Sequence, residues 1–538
     1  MTATPSILPY APVQERTINP WIVALVVVVP TFMEVLDTTV ANVALRYIAG
    51  GLSAASVDSE WVITSYLAAN AIILPISGYL AARFGRRNYF LLSIALFTIS
   101  SALCGAATNL GQLILFRVMQ GLAGGGLQPS SQAILLDAFP PEKQGAAMTI
   151  FGFAALLAPV VGPTLGGYLT DNYSWRWIFY INIPVGLIAV VAAWMFVQDP
   201  PYLRAQHADA KRNPKRFDTL GLTLLTTCMI SWEVFLSKGE QWDWFEDPFW
   251  RVQTLAAIFA ATLIAFVIRE RRTANPIVNL KTLRDKNFRI SCIIAFCAFA
   301  TLYGVTVSLP ALLQSLLGYD ATSSGLVMSP AGISSIMMMV IVGAILGRGV
   351  DARWLIAIGL FTLGMGGLWY SRLNLEISFS QVIWPRVVQI TGLSMIFAPL
   401  SVAAYKYLPL ELRGAAVGMF SLLRNEGGSV GTSMAQTFQE RREQFHLLRL
   451  NEFQDPFNPA TRSFLARAKD FYLQHSGDPV NSARTALSAL DQARHRQAAS
   501  LAYFDVFWIF AIIAFVLILT VPLMRRSVAE KGAHHSAE

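Results

Sequence analysis

Two acidic residues stand inside a strongly apolar stretch near the beginning of the chain. Glu34 and Asp37 lie three positions apart within residues 21–45, so a helix would place both side chains on one face. A charge at the centre of a lipid bilayer costs about 2.5–3.5 kcal/mol on insertion scales, which makes such carboxylates functional candidates. Because a carboxyl group removed from water holds its proton more tightly, we predict that Asp37, and to a smaller extent Glu34, couples proton movement. A structural ion pair is the alternative.

Other polar residues in apolar stretches could complete such a site. Arg117 stays charged and cannot carry a proton itself, but it can change the proton affinity of a carboxylate that approaches it. Glu426 is a further candidate for proton coupling, and it should not pair with Arg424, because residues two positions apart point in different directions on a helix. The residues that we predict to line a substrate cavity are Asn42, Gln120, Gln128, Gln132, Tyr303, Gln314, Arg386, Gln389, Arg424 and Asn425. Packing is the alternative for Tyr303 and Gln314, and helix anchoring is the alternative for Arg386.

These residues lie in a chain with the composition of a membrane protein. Of its 538 residues, 54% are hydrophobic and 14% are charged, whereas soluble domains carry about 25% charged residues. The apolar residues form blocks of about 20, the length that spans a hydrocarbon core. This composition excludes a soluble globular protein, a disordered chain and a disulfide scaffold. We predict fourteen membrane-spanning helices, at residues 21–45, 59–81, 88–107, 111–136, 143–169, 177–197, 218–236, 250–268, 289–315, 324–346, 354–370, 381–405, 413–438 and 501–524.

Lysine and arginine are distributed unevenly over the predicted loops. Residues 83–87 and 269–289 are rich in basic side chains, whereas the short loops on the opposite side hold few. Because basic loops remain in the cytoplasm, we expect the N-terminus there, and an even number of spans returns the C-terminus to the same side. The net charge of +8 then reflects these loops and not nucleic-acid binding.

The sequence contains an internal repeat. Arg117-Val-Met-Gln120 matches Arg386-Val-Val-Gln389 at an offset of 269 positions, and residues 140–147 match residues 409–416 at the same offset. Two parallel six-helix repeats are a transporter architecture, with the substrate site between the halves. We therefore expect an all-α polytopic fold with an N-terminal bundle (1–200), a linker with two extra central helices (201–285) and a C-terminal bundle (286–538). An insertion at 440–500 lengthens the second repeat.

The predicted cytoplasmic loop after the second span carries a motif of glycines and arginines. Glycines allow a tight turn, and arginines can bind helix-end carbonyls or carboxylates. The motif residues are Gly78, Arg83, Gly85, Arg86 and Arg87. This loop resembles that of the major facilitator superfamily, which reads G-x-x-x-D-R-x-G-R-R. The chain has Ala82 at the aspartate position, while the repeat mate Asp351 keeps a carboxylate.

The predicted fifth span carries a second motif. Pro159 and Pro163 remove backbone donors and bend the helix, while Gly162, Gly166 and Gly167 admit a neighbouring helix closely. Ordinary small-residue packing would account for the glycines alone. The doubled proline in this register is similar to the antiporter motif of exporters in the same superfamily.

The resemblance extends over nearly the whole chain. Residues 34–45, residues 175–184 and the fourteen spans together resemble the EmrB/QacA-type drug:proton antiporters, a family within this superfamily. Residues 275–280, Asn-Pro-Ile-Val-Asn-Leu, and the insertion with Asp-Pro-Phe-Asn-Pro at 455–459 are closer to the EmrB branch. In superfamily antiporters the position of Arg117 is occupied by an arginine tied to proton coupling.

This resemblance implies a proton-driven exporter of amphipathic small molecules in the inner membrane of a bacterium. Protons would be the coupling ion, and we expect no cofactor and no enzymatic activity. No phosphate-binding Gly-x-x-x-x-Gly-Lys-Ser/Thr loop occurs, which argues against an ATP-driven pump. In the EmrB branch the partners are a periplasmic adaptor and a TolC-like outer-membrane channel. The alternatives are an importer or single-component exporter of a specific metabolite, and a non-transporting membrane sensor.

The insertion at 440–500 is too charged to enter the bilayer. Helical periodicity appears at residues 439–450, 461–475 and 480–500. The apolar side chains of these segments need a surface to cover, either the outer rim of the transporter or a partner such as the adaptor.

Overall fold

A computed structural model describes residues 19–140, 143–200, 203, 218–273, 276–409, 412–452, 454–455, 457–476 and 478–527 of the chain. Asn275 of the motif named above lies outside these residues. The described residues form α-helices and short 3-10 turns, with no strand among them. Helices are the expected form here, because a backbone that crosses a bilayer must satisfy its hydrogen bonds within the segment.

Among the described residues, the first half of the chain contains seven helices of at least 12 residues. Their bounds are α1 (Pro20–Gly51), α2 (Trp61–Phe84), α3 (Arg86–Ala106), α4 (Leu110–Gly124), α5 (Leu127–Ala138), α6 (Gln144–Asn172) and α7 (Asn182–Phe196). α4 and α5 are one predicted span that is interrupted at Gly125 and Gly126. Both glycines are tightly packed, since a Cβ atom on Gly126 would lie 2.4 Å from the Tyr89 hydroxyl.

The rest of the chain contributes an extra hairpin and the second half. The hairpin consists of α8 (Thr219–Lys238) and α9 (Arg251–Arg272). The second half comprises α10 (Lys286–Leu316), α11 (Pro330–Gly347), α12 (Ala352–Tyr370), α13 (Phe379–Tyr405), α14 (Arg413–Asn451), α15 (Pro459–Ser476) and α16 (Pro479–Ile518). α6 begins at Gln144 and α14 at Arg413, which is the offset of 269 positions that the repeat predicts.

Twelve helices in the described ranges are long and apolar enough to cross a membrane. They correspond to twelve of the fourteen predicted spans. The span predicted at 111–136 is divided between the short helices α4 and α5. The span predicted at 413–438 lies within the continuous helix α14, but Arg424 and Glu426 break its apolar sequence. The prediction of fourteen spans is therefore confirmed for twelve.

The helices α6 and α14 join the two halves. α6 packs against α1 in its own half and against α11 and α13 in the other half, while α14 packs against α10 and α16 and also against α2 and α5. The extra helix α8 packs against α2 and α14, so it lies beside the junction of the two halves. α9 is largely exposed, as expected of a helix that faces lipid.

The insertion forms helices that continue from the membrane region. α14 extends to Asn451, α15 packs against α16, and α16 runs without a break from Pro479 into the last predicted span. This agrees with the helical periodicity of the sequence at 439–450, 461–475 and 480–500. At the base of the insertion, Asp505 Oδ2 accepts a hydrogen bond from Arg442 Nε at 2.6 Å. The same oxygen lies 2.7 Å from His446 Nε2.

Candidate functional site

Asp37 lies in a fully buried polar cluster built by three helices of the first half. α4 brings Arg117 and Gln120, and α7 brings Asn182. Arg117 Nη1 forms an ion pair with Asp37 Oδ2, while Gln120 Nε2 and Asn182 Nδ2 donate to Asp37 Oδ1 at 3.0 and 2.9 Å. The Asp37 carboxylate thus accepts hydrogen bonds from three side chains, one of which is a cation. Sequence reasoning missed Asn182, although its amide inside an apolar run was a signal.

The Arg117 side chain has further contacts besides Asp37. Its Nε donates to the Val62 carbonyl at 3.0 Å, its Nη1 also donates to Gln120 Oε1 at 2.9 Å, and its guanidinium lies 4.2 Å from the centroid of the Tyr66 ring. With 0% exposure, Arg117 is desolvated, so its charge depends on Asp37 for compensation. The sequence predicted that a carboxylate approaches Arg117, and in the structure this carboxylate is Asp37.

Glu34 is equally buried but has different partners. Its Oε1 accepts from Tyr66 Oη at 3.3 Å and Asn70 Nδ2 at 3.1 Å, and its Oε2 accepts from Gln128 Nε2 at 2.5 Å. No arginine or lysine of the described ranges hydrogen-bonds it. Gln128 Oε1 in turn accepts a hydrogen bond from Arg424 of α14. Gln128 therefore connects a carboxylate of the first half to a cation of the second half.

A cavity of about 230 Å³ lies next to Glu34 and is bordered by α1, α2, α5, α8, α10 and α14. Four glutamates line it, namely Glu34, Glu60, Glu233 and Glu240. It extends from Glu34 in the middle of α1 toward the end of α1 that lies on the side of the insertion. Of the residues predicted to line a cavity, Asn42, Gln128, Tyr303 and Asn425 do so.

The other predicted lining residues lie elsewhere. Gln120 contacts Asp37, and Gln132 is buried with its Nε2 3.6 Å from Met148 Sδ. Arg424 lies beneath the cavity among aromatic rings, at 5.5 Å from the Phe299 centroid. Gln314 is exposed near the end of α10, because the last turn of that helix leaves the packed core.

Arg386 and Gln389 form the repeat counterpart of the Arg117 cluster, away from the cavity. Arg386 Nη1 donates to Gln389 Oε1 at 2.8 Å, and its Nη2 donates to Thr306 Oγ1 at 2.7 Å. Thr306 is 269 positions after Asp37, so the second half has a hydroxyl where the first has a carboxylate. Arg386 Nε has no hydrogen-bond partner among the described residues. This half therefore holds a buried cation without a neighbouring acid.

Glu426 meets a second acid that sequence reasoning missed. Glu426 Oε2 accepts from Trp232 Nε1 at 2.7 Å, and Glu233 Oε1 accepts from Ser429 Oγ at 3.1 Å. As expected, Glu426 and Arg424 do not pair with each other. Glu233 was visible in the sequence as an acid inside the span predicted at 218–236, by the same rule that selected Asp37.

The motif arginines of the loop between α2 and α3 bind helix ends within the first half. Arg86 pairs with Asp137 of α5, Arg87 Nη2 donates to the Trp194 carbonyl of α7 at 2.6 Å, and Arg83 Nη1 donates to Tyr79 Oη of its own helix at 3.0 Å. Gly85 ends α2 with φ +84°, a conformation that favours glycine.

Gly78 makes the closest approach of this loop region to the second half. A Cβ atom at Gly78 would lie 2.7 Å from the carbonyl carbon of Gly414, at the start of α14. Ala82 and the nearby start of α14 border a small cavity of about 180 Å³. Helix contact through glycine, and not through an aspartate at position 82, thus brings the halves together at this end.

Asp351 acts within its own half. Its carboxylate caps α12, pairs with Arg353 at 2.7 Å and accepts from the Ser527 backbone N–H at 3.1 Å. Burial opposes ionisation, but these hydrogen bonds outweigh it and hold the pKa of Asp351 below its usual range. Asp351 therefore ties the beginning of α12 to the segment after α16.

The proline and glycine motif of α6 packs against the helix that carries the carboxylates. The helix continues through Pro159 and Pro163, with Gly167 buried in its last third. A Cβ atom at Gly162 would lie 2.1 Å from Thr39 Oγ1 of α1, and one at Gly166 would lie 3.1 Å from Val40 Cγ1. The glycines thus set how closely α6 approaches α1 beside Asp37.

Comparisons with known proteins agree with this architecture. Residues 27–432 match the family model of the Major Facilitator Superfamily. The chain is 38% identical to the multidrug export protein EmrB of Haemophilus influenzae, over 82% of this chain and 85% of that one. It is 35% identical to the multidrug export protein EmrB of Escherichia coli, over 91% of this chain and 92% of that one.

Among solved structures, the proton:xylose symporter XylE shares the fold. The TM-score is 0.60 at 12% sequence identity, and the match covers 95% of this chain and 97% of that one. Family model, relatives and fold agree with the resemblance of the motifs and with the two-fold helix repeat. The chain belongs to the major facilitator superfamily.

Proposed function

We propose that this chain is a proton-coupled antiporter that exports amphipathic toxic compounds by alternating access. The observation that carries the proposal is the arrangement of two buried carboxylates on α1. Asp37 is ion-paired with Arg117, and Glu34, one turn away, lines a cavity with three further glutamates. The likeness to two proteins named multidrug export proteins supports drugs as the class of substrate.

Because Glu34 and Asp37 have different hydrogen-bond partners, we propose that they take up protons under different conditions. Glu34 is bound by neutral donors only, so it can take a proton from the cavity without breaking an ion pair. Asp37 can take a proton only when Arg117 releases it. Proton binding at Glu34 would remove a negative charge from the cavity and weaken the attraction for a cationic compound. Proton and compound then compete, which is the basis of antiport.

We further propose the organisation that this mechanism needs. Residues 1–200 and 286–538 are the halves that move, and 201–285 is a linker that carries the extra hairpin. The protein lies in the inner membrane of a bacterium with both termini in the cytoplasm, and the cavity opens to the outside. The proton is the coupling ion, and the proposed mechanism requires no cofactor.

A tripartite assembly is the proposed setting of the pump. The insertion helices α14, α15 and α16 project beyond the membrane region. Large apolar side chains are exposed there, including Leu448 of α14 at 71% and Phe457, between α14 and α15, at 83%. Exposed apolar patches commonly mark protein contacts. A periplasmic adaptor that leads to a TolC-like channel is the proposed partner, as in the branch that the sequence resembles.

The decisive experiment reconstitutes the full-length protein in proteoliposomes with an imposed pH gradient. Ethidium efflux and internal pH are recorded for the wild type and for Asp37→Asn. We expect ethidium to dissipate the pH gradient only with the wild type. Dissipation that is equally fast with Asp37→Asn would contradict the proposal. A toxicity panel in an efflux-deficient host then identifies the natural substrates.

Two further measurements separate the alternatives. An importer on the same fold would move the compound in the opposite direction in inverted vesicles, and a sensor would not move it at all. Deletion of residues 445–495 with a short linker should leave transport in proteoliposomes intact but abolish drug resistance in a cell with two membranes. If the deletion also stops transport in proteoliposomes, the insertion belongs to the transport cycle and the adaptor proposal fails.

A further inference from the structure

The two acids Glu233 and Glu426 meet at the contact between the extra hairpin and the second half. Their exposed fractions are 3% and 6%, and each accepts one hydrogen bond, from Ser429 and Trp232 respectively. Trp232 is the neighbour of Glu233 in α8, and Ser429 follows Glu426 by three positions in α14, so these two hydrogen bonds place both acids in one contact between the helices. Ionised carboxylates are acceptors only, so two carboxyl groups that approach each other can share a hydrogen bond only when one of them is protonated.

No lysine or arginine among the described residues forms a salt bridge with either acid of this pair. Cys228 of α8 is a further titratable group close enough to feel the charge of Glu426, and α9 contributes the ring of Phe259, 4.6 Å from the Trp232 ring. Arg424 lies on α14 but is hydrogen-bonded to Gln128 of α5. Two like charges in such a place repel each other strongly, so binding of one proton by the pair relieves the repulsion.

The other acids of the cavity wall are Glu34, Glu60 and Glu240. Glu60, at the start of α2, forms a salt bridge with Lys238 at 2.6 Å. α10 contributes Tyr303, which packs on Gly428. α16 brings no titratable group that acts on the pair among the described residues. The cavity wall includes Glu233, so water or a substrate has a route to the pair.

We propose that Glu233 and Glu426 form a proton-binding site that holds one proton, is reached from the cavity and is separate from Asp37. Uptake converts two carboxylates into one O–H···O hydrogen bond across the contact of α8 with α14. Release leaves two carboxylates that repel each other, which loosens this contact. The inference rests on the proposed antiport for its purpose, since it gives the extra hairpin a share in proton coupling.

The first test reads protonation without any transport. Infrared difference spectra of the purified full-length protein follow the C=O band of protonated carboxyl groups as the pH changes. We expect Glu233→Gln and Glu426→Gln each to move the same titration step to lower pH, because the remaining carboxylate no longer faces a second negative charge. The double variant should abolish that step. Glu240→Gln, which removes a carboxylate from the same cavity wall, is the matched control and should leave it unchanged.

Two spectroscopic results would overturn the inference. In the first, each single variant leaves the titration of the other acid at its original pH, so the acids are independent. In the second, the band persists over the whole pH range in which the protein stays folded, so the proton is structural and never released.

A second test distinguishes this site from the proposed function. The ratio of protons to ethidium exchanged is measured in proteoliposomes for the wild type and the double variant, and we expect it to fall by about one proton. A wild type that shows the titration step but moves no ethidium would contradict the proposed function alone. A double variant with an unchanged ratio would contradict the acid-pair site alone.

Discussion

Replacing Asp37 with asparagine should cost much more stability than replacing Glu34 with glutamine, although one helical turn separates the two positions. Asp37→Asn leaves the fully buried Arg117 without its carboxylate, and loss of one partner of a buried ion pair costs about 3–5 kcal/mol. Glu34→Gln breaks no ion pair and retains an amide oxygen as acceptor, so we expect a loss of about 0.5–1.5 kcal/mol. Unfolding of the purified variants in detergent measures the difference.

If the unpaired charge of Arg117 causes the loss of stability in Asp37→Asn, then removing that charge should restore stability. Adding Arg117→Met to Asp37→Asn removes the uncompensated charge, so the double variant should recover most of the lost stability. Transport should not recover, because the proton site is still absent. Equal destabilisation by Asp37→Asn and Glu34→Gln would refute the reasoning, and so would a double variant that is less stable than Asp37→Asn alone. In transport assays, Glu34→Gln should keep activity but lose much of its dependence on pH.

Further substitutions, each with a matched control, test the repeat and the helix contacts. Arg117→Lys should shift the pH dependence of ethidium efflux, because lysine keeps the charge but lacks the forked geometry, whereas Arg386→Lys should lower turnover without moving the optimum. Gly162→Ala should slow transport, since its Cβ atom would meet a side chain of α1 at 2.1 Å, while Gly347→Ala, with open space around it, should be neutral in the same assay. Thr306→Val removes a hydrogen-bond acceptor of the buried Arg386 guanidinium and should lower stability by about 1–3 kcal/mol in thermal unfolding. Thr306→Asp keeps an acceptor at this position and should not lower the stability.

The helices were predictable because their cause is local. Long apolar runs bounded by polar loops predict spans, and the offset between Arg117 and Arg386 predicts the repeat that α6 and α14 display. The interruption between α4 and α5 was not predictable from hydropathy, because it depends on the close packing of Gly125 and Gly126 against other helices.

The site was predictable in its residue types and less so in its contacts. The intramembrane rule identified Glu34, Asp37 and Glu426, and applied evenly it would also have identified Glu233. Which acid meets which partner depends on the packing of distant helices, so the sequence could not pair Glu426 with Glu233. The packing of distant helices also decides which residues reach the cavity. Gln314, which the sequence made a candidate for the cavity, is exposed near the end of its helix.

The unequal Asp37 and Thr306 clusters have a consequence for the response to voltage. With Asp37 ionised, the first cluster is neutral, because the charge of Arg117 is cancelled. In the proposed antiport cycle Asp37 takes a proton and the cluster becomes a cation, while the Arg386 cluster remains one throughout. A membrane potential therefore exerts a changing force on one half and a constant force on the other. A charge that crosses 100 mV gains roughly 2.3 kcal/mol, so the electric field alone can favour inward movement of the proton-loaded half.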